Sequence, residues 1–453
     1  MSDYIEFIRT KSKGVKSAGF APHWMPDFLY DFQSYLCDWS IRLGRSAILA
    51  DCGMGKTPMQ LVIAQNFIEE TNKPALICTP IAVGAQTIAE AAKFGITAKR
   101  TRDGKMTDEK CIWVTNYEQL HKYDPKKFGA VIDDESGCIK DAKTERKKSV
   151  VDFNRQVKYR LLCTATAAPN DYWELGSSSE ALGYLGFRDM ITNFFKQETS
   201  KDHHGWGRTK YRFRGHAEQP FWSWVCSWAR SLRRPSDLGF DDTRFILPEL
   251  IETDYVIDTA QPRPGVLITV PAKDIREERA ERRHSIRERC EKAVEIAQRP
   301  GPAALWVELN PEGDMLEKML DDCVQVSGSM SDDAKEEALI AFGAGQIRRL
   351  ICKPKIGAWG LNWQHCSNVI SMPSHSYEQY YQLVRRCYRY GQQNPVEVSR
   401  IVCEGEVGVL HSLARKQGQG EAMFSNIVAH MNNAMHLASM DFFPEEELIP
   451  AWL

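Results

Sequence analysis

The stretch SAILADCGMGKTPMQ places Gly53, Met54, Gly55, Lys56 and Thr57 between an apolar run and a helix-like one. Glycines let a backbone close around a phosphate, so that its N–H groups and the N-terminus of the following helix face the anion. Lys56 then reaches the outer phosphates and the Thr57 hydroxyl ligates Mg²⁺. Further along, FGAVIDDES ends a hydrophobic run in adjacent acids. One carboxylate holding Mg²⁺ and a second orienting and deprotonating a water is what nucleotide hydrolysis requires. Asp134 and Glu135 fit these roles, with Asp133 as the alternative register. A lone G-K-T triplet occurs in ordinary loops, and a lone acidic triplet is most often a solvated turn. Together they point to ATP and Mg²⁺ as cofactors.

Such groups need a scaffold that brings distant segments to one edge. Apolar runs of strand length recur at 46–50, 74–79, 111–115, 130–133 and 159–166, with helix-like stretches between them. A second series (AALWVEL, CVQVSG, RRLICK, SNVISM, VEVSRIVC) runs from 300 to 405. Strand and helix alternating at this spacing imply parallel sheets covered by helices. The expected fold is α/β, with two tandem domains over 1–175 and 273–405. A Trp/Arg-rich, mainly helical insertion and linker fill 176–272, and a helical tail follows from 406 to 453.

The chain has 453 residues, 58 Lys+Arg against 60 Asp+Glu, a net charge of −2 and a 43% apolar fraction. This is enough for two or three cores and too apolar for a disordered chain. A bulk nucleic-acid coat is argued against, whereas a local basic groove is not. The 13 cysteines are scattered without a C-x-x-C pair, so neither zinc nor a disulfide framework is expected. A reducing cytoplasm fits this usage best, and no apolar run approaches the length of a membrane span.

At this point the sequence resembles the superfamily 2 helicases and translocases, in particular the Swi/Snf-type ATPases and their phage and prophage relatives. Ala50 stands where the generic P-loop has its first glycine, which matches the A-x-x-G-x-G-K-T variant of that superfamily. The resemblance implies two RecA-like domains and the following roles. Gln33, in Leu29-Tyr-Asp-Phe-Gln, looks like the Q motif that reads the adenine edge. Thr79, Pro80 and Gln86 look like motif Ia, and Thr115 and Asn116 like the next strand-end motif, both facing the nucleic-acid backbone. Asp134-Glu135-Ser136 stands where relatives carry D-E-A-H or D-E-S-H, with Gly137 in place of the histidine. Thr164 and Thr166 in CTATAAPND resemble motif III, which couples the two sites.

In the second series, Gly360-Leu361-Asn362 matches the G-L-N core of motif V, where Gly360 and Asn362 would act in coupling and Lys353 would contact nucleic acid. Gln382, Arg386, Arg389, Gly391 and Gln392 reproduce the motif VI pattern Q-x-x-x-R-x-x-R-x-G-Q. Arg386 and Arg389 are three apart and so share a helix face. The resemblance makes them arginine fingers that stabilise the transferring phosphoryl group when the domains close. Gly328, Ser329 and Lys353 would grip the strand from the second domain. The expected activity is a DNA-stimulated ATP hydrolase that moves on DNA, duplex before single-stranded DNA, with RNA less favoured. Two alternatives remain open: the motor of a restriction or anti-restriction system, and a nucleotide-gated clamp that does not step. No protein partner is identifiable.

In the middle segment, Phe221, Trp222, Trp224, Val225, Trp228 and Leu232 have helical spacing and predict a helix whose tryptophans build a core. Arg212, Arg214, Arg230, Arg233 and Arg234 stay open as phosphate contacts, and duplex-contacting helices are a secondary expectation from the resemblance. Residues 248–272 read as a linker, 274–299 as a long mixed-charge helix, and 406 onward as a helix packing on the second domain.

Overall fold

The structure is a computed structural model. It describes residues 17–80, 83–101, 103–107, 110–139, 144–165, 171–201, 207–259, 275–357 and 361–439. The chain forms two compact units, one of residues 1–242 with 420–453 and the other of residues 243–419.

The first unit opens with α1 (Asp31–Leu43), β1 (Arg45–Ala50) and α2 (Lys56–Thr71), followed by β2 (Ala75–Thr79), α3 (Gly84–Lys93), β3 (Ala98–Arg100) and β4 (Ile112–Asn116). It continues through β5 (Ala130–Asp134), α4 (Glu145–Asn154), β6 (Tyr159–Cys163), α5 (Leu175–Leu182) and α6 (Phe187–Phe194). The last elements of this run are β7 (Phe195–Lys201), β8 (Gly207–Phe213), α7 (Glu218–Trp228) and β9 (Ala229–Leu232). Seven strands form one sheet in the order β3-β4-β2-β5-β6-β1-β9, and every pairing in it is parallel. Strands β1, β2, β5 and β6 are buried almost throughout, which is why they read as continuous apolar runs rather than alternating ones.

The Trp-rich segment belongs to this unit. Trp222 and Trp228 are fully buried and Trp224 nearly so, as their helical spacing predicts. The helix stops at Trp228, however, and residues 229–232 become β9, which pairs with β1 from Ala47↔Ala229 to Ala50↔Leu232. The four residues Ala-Arg-Ser-Leu following a helix fit either structure locally, and the open edge of β1 decides the matter.

The second unit contains β10 (Leu250–Ile257), α8 (Ile275–His284), α9 (Ile286–Ala297), β11 (Ala303–Trp306), α10 (Asn310–Met319), β12 (Cys323–Val326) and α11 (Asp332–Gly343). After these come β13 (Arg349–Cys352), α12 (Pro354–Gly357), β14 (Asn368–Ser371), α13 (Tyr377–Cys387) and β15 (Val396–Cys403). Its six strands run β10-β15-β14-β11-β13-β12, again all parallel. Part of the expected linker is therefore structural. Residues 250–257 form an edge strand along the whole of β15, with a half-exposed pattern that hides it from an apolar-run search.

Helix α14 (Val407–Ser439) starts in the second unit, and its residues from Gly420 belong to the first. Met423, Phe424, Ile427 and Met431 are buried, Arg233 lies 4.5 Å over the Phe424 ring, and the Cys226 thiol meets the Ile427 carbonyl at 3.6 Å. The tail thus packs on α7 and the segment after β9 rather than on the second sheet alone. Both units are parallel α/β sheets, as expected for paired RecA-like domains. All 13 cysteines are free, and no helix among the described residues is long and apolar enough to cross a membrane.

Candidate functional site

In a parallel sheet the carboxyl ends of the strands share one edge, where the following loops can hold a ligand. In the first unit β1 and β5 flank β6, so the loop after Ala50 and the acids ending β5 lie at that edge. Gly53 (φ 90°) and Gly55 (φ 77°) are both left-handed, a conformation that costs other residues about 1–2 kcal/mol. They turn the chain into α2, whose N-cap is Gly55. A Cβ on Gly55 would also collide with the Gln33 amide. Pro58 in the first helical turn gives up an N–H that has no partner within the helix anyway.

Lys56 is the first residue of α2, and its Nζ donates to the Ala50 carbonyl (3.0 Å) beneath the loop. Burial opposes its charge, but Cys52 and the carboxylates of Glu135, Asp134 and Asp51 outweigh that and hold its pKa above the ordinary value. Thr57 follows it, half-buried. Met54 is buried, and its carbonyl accepts from Gln33 Nε2 (3.0 Å), while Gln33 Oε1 accepts from the Tyr30 N–H (3.1 Å). Gln33 therefore braces the loop, with both ends of its amide engaged.

At the end of β5, Asp134 Oδ1 accepts from Gln60 Nε2 (2.7 Å), and its carbonyl accepts from the Tyr117 hydroxyl (2.6 Å). Burial, with Glu135 beside it, pushes the Asp134 carboxyl up to about 6, against the pull of Gln60 and Lys56. Glu135 sits at φ 52° and is buried, and its Oε2 has no hydrogen-bond partner among the described residues. An orphaned carboxylate oxygen is costly to bury and marks a place where a further polar group belongs. Left-handed glycines at a helix N-terminus, an inward lysine and this unsatisfied acid fit Mg-ATP. Lys56 and the α2 N–H groups would hold phosphate, Thr57 and Asp134 the metal. Asp133 is engaged elsewhere: its Oδ2 accepts from Asn154 Nδ2 (2.6 Å).

Gln60, Tyr117 and Asn154, which fix the acids, carry no sequence signature. Only Gln60 left a trace, since it lies one turn after Lys56 on the same face of α2.

The residues expected to meet nucleic acid are less uniformly placed. Thr79 and Thr115 lie at the ends of the paired strands β2 and β4, yet both are buried. The Thr79 hydroxyl donates to the Pro80 carbonyl (3.0 Å), and Thr115 Oγ1 shares a hydrogen bond with the Tyr123 hydroxyl (3.1 Å). Asn116 Oδ1 accepts from the Gln119 N–H (3.0 Å) and Gln86 donates to Glu90 (2.9 Å). Thr164, just after β6, is buried, and its N–H donates to the Ile48 carbonyl (3.3 Å) of β1. Thr166 and Gly360 lie outside the described residues.

In the second unit, Gly328 and Ser329 are exposed and Lys353 half-buried. Arg386 on α13 is buried, donating to the Leu361 carbonyl (3.0 Å), to the Gln382 carbonyl (3.2 Å) and to Gln382 Oε1 (2.8 Å). Arg389, half-buried, reaches the same Leu361 carbonyl at 3.3 Å. Two arginines thus converge on the loop that carries Asn362, whose Oδ1 is buried with no partner among the described residues.

No curated protein sequence matches the chain. Among solved structures, it is similar to the Sulfolobus solfataricus SWI2/SNF2 ATPase core in complex with dsDNA, at 15% identity and a TM-score of 0.43, over 93% of this chain and 97% of that one. Residues 302–391 match the model of the helicase conserved C-terminal domain. That stretch lies within the second unit and holds Lys353, Asn362, Gln382, Arg386 and Arg389, so it is this part of the chain that is similar to the helicase conserved C-terminal domain.

Proposed function

We propose that the chain is a superfamily 2, Swi/Snf-type ATPase that hydrolyses Mg-ATP in its first unit and uses the cycle to move along DNA. The observation that carries the reading is the convergence of Lys56 with Asp134 and Glu135 at one sheet edge, beneath a loop built on two left-handed glycines. The bound nucleotide and metal would supply the scissile phosphoanhydride and its charge neutralisation. The α2 N-terminus and Lys56 bind and orient the phosphates, Thr57 and Asp134 present oxygens to Mg²⁺, and Glu135 accepts a proton from the attacking water. Helicase-type sequence in the second unit supports a motor rather than a simple nucleotidase, with Arg386 and Arg389 serving the same reaction. Thr79, Pro80, Gln86, Thr115, Asn116, Gly328, Ser329 and Lys353 are proposed to track the strand, and Thr164, Thr166, Gly360 and Asn362 to couple the two activities.

ATP hydrolysis measured without nucleic acid and with duplex DNA, single-stranded DNA or RNA tests this directly. The expected order of stimulation is duplex DNA first and RNA last. Lys56→Ala and Glu135→Gln should each lower the stimulated rate by about a hundredfold or more, the scale for loss of a group acting on the developing charge. Full activity in either variant would refute the assignment. Displacement of a triplex strand by ATP, but not by a non-hydrolysable analogue, separates a motor from a static clamp.

A further inference from the structure

One two-stranded antiparallel ribbon stands outside both parallel sheets. β7 and β8 pair with each other from Phe195↔Phe213 to Lys201↔Gly207, and among the described residues neither joins another strand. Its base is fixed by aromatic packing. The Phe195 and Phe213 rings stack at 4.7 Å, Phe213 meets Tyr172 at 5.8 Å and Phe221 at 5.3 Å, and Tyr211 meets Trp173 at 5.6 Å. Arg214 Nε closes the base by donating to the Phe195 carbonyl (2.8 Å).

Strand alternation puts the residues between these aromatics on the other face. There the register sets Lys196 opposite Arg212, with Glu198 two residues along from Lys196 on the same face. The Lys196 and Arg212 side chains are 54% and 71% exposed, and both lean toward Glu198, at 3.7 Å and 3.3 Å. Exposed ion pairs of this kind are weak, so one shared carboxylate leaves both cations available to a stronger anion. This concentration is local: the chain as a whole carries a net charge of −2.

We propose that this ribbon is a duplex-DNA contact whose basic face lies along a groove and gives Lys196 and Arg212 to backbone phosphates. The proposal rests on the DNA-motor reading above and specifies a surface for it. The shape argues for duplex DNA, because the major groove of B-form DNA admits a two-stranded β-ribbon, whereas the deep, narrow major groove of A-form RNA does not. The aromatic base supplies what a phosphate grip needs, a stiff arm that does not give up order on binding.

The test is binding of the full chain to a short labelled DNA duplex across a salt series, beside its basal ATPase rate without DNA. Lys196→Gln with Arg212→Gln should weaken binding several-fold at moderate salt and lower the slope of log affinity against log salt by about 2, one phosphate contact per cation. Glu198→Gln should tighten binding, because it removes the carboxylate that Lys196 and Arg212 share. Basal hydrolysis and the urea midpoint should not change in any of the three proteins, since all these positions are exposed. If the wild-type chain binds duplex DNA and the double variant keeps both its affinity and its salt slope, the ribbon assignment is overturned while the motor reading stands. A wild-type chain that binds no DNA overturns both. An RNA duplex bound as tightly as DNA and weakened equally by the double variant overturns the groove argument.

Discussion

Burial and charge are in open conflict at Asp133. The side chain is fully buried, Asn154 satisfies one oxygen and the other has no partner among the described residues, and burial pushes the carboxyl up to about 7 despite the Asn154 hydrogen bond. An unfolded aspartate titrates near about 3.9. Because the folded pKa is the higher one, the native state holds this proton more tightly than the unfolded chain. The resulting stability is fully present below about pH 4 and is lost as pH rises through about 7. Asp133→Asn should therefore raise the urea midpoint relative to wild type more at pH 8 than at pH 5, and an equal offset at both would contradict the assignment. Gly55→Ala tests the cradle itself. A positive φ and a collision with Gln33 should raise the KM for ATP at least about tenfold while costing about 1–2 kcal/mol of stability, read by urea titration. Lys56, Asp134 and Glu135 were legible as candidates because each stands in a short local pattern, a glycine-rich G-K-T and an apolar run ending in acids. Gln60, Tyr117 and Asn154 were not, because ordinary polar residues become ligands of a carboxylate only once distant strands pair.

Among the elements, α8 and α9 show most clearly what a charge pattern leaves undetermined. The sequence reads as one long mixed-charge helix, but the chain breaks at Ser285 and turns two arginines inward. Arg289 is fully buried against Glu312 (2.7 Å) and Glu406 (3.7 Å), and Arg282 pairs with Glu406 while donating to the Pro373 carbonyl. Both carboxylate partners are far away in the sequence, so no local pattern marks these charges as interior. Removing one member of a buried pair leaves an uncompensated ion. Arg289→Met is expected to destabilise the second unit by about 3–5 kcal/mol, as a fall in its urea midpoint, whereas Arg287→Met on the exposed face of α9 should be nearly neutral. The same limit hid β9 and β10, since an edge strand is defined by the edge it joins.

For the whole molecule, the division of the chain matters most. The alternation of apolar runs foretold two parallel α/β units, but it could not foretell that the first unit is completed by residues from Gly420 onward. Met423, Phe424, Ile427 and Met431 are buried there, and burying each is worth about 1.5–3 kcal/mol. Ending the chain after Gln419 should therefore lower the thermal midpoint of the first unit and expose the α7 surface around Cys226, detectable as increased dye binding and aggregation. An unchanged midpoint would mean that this helix is dispensable for the unit. The arrangement also sets an order of events during synthesis. The ribosome finishes α7 and β9, then makes the whole of the second unit before the helix that covers them emerges. At about 5–20 residues per second this leaves the surface uncovered for roughly ten to thirty-five seconds in every nascent chain. That interval is long for the surface around Cys226 and Arg233 to wait for its cover, and it is where a chaperone would first meet this protein.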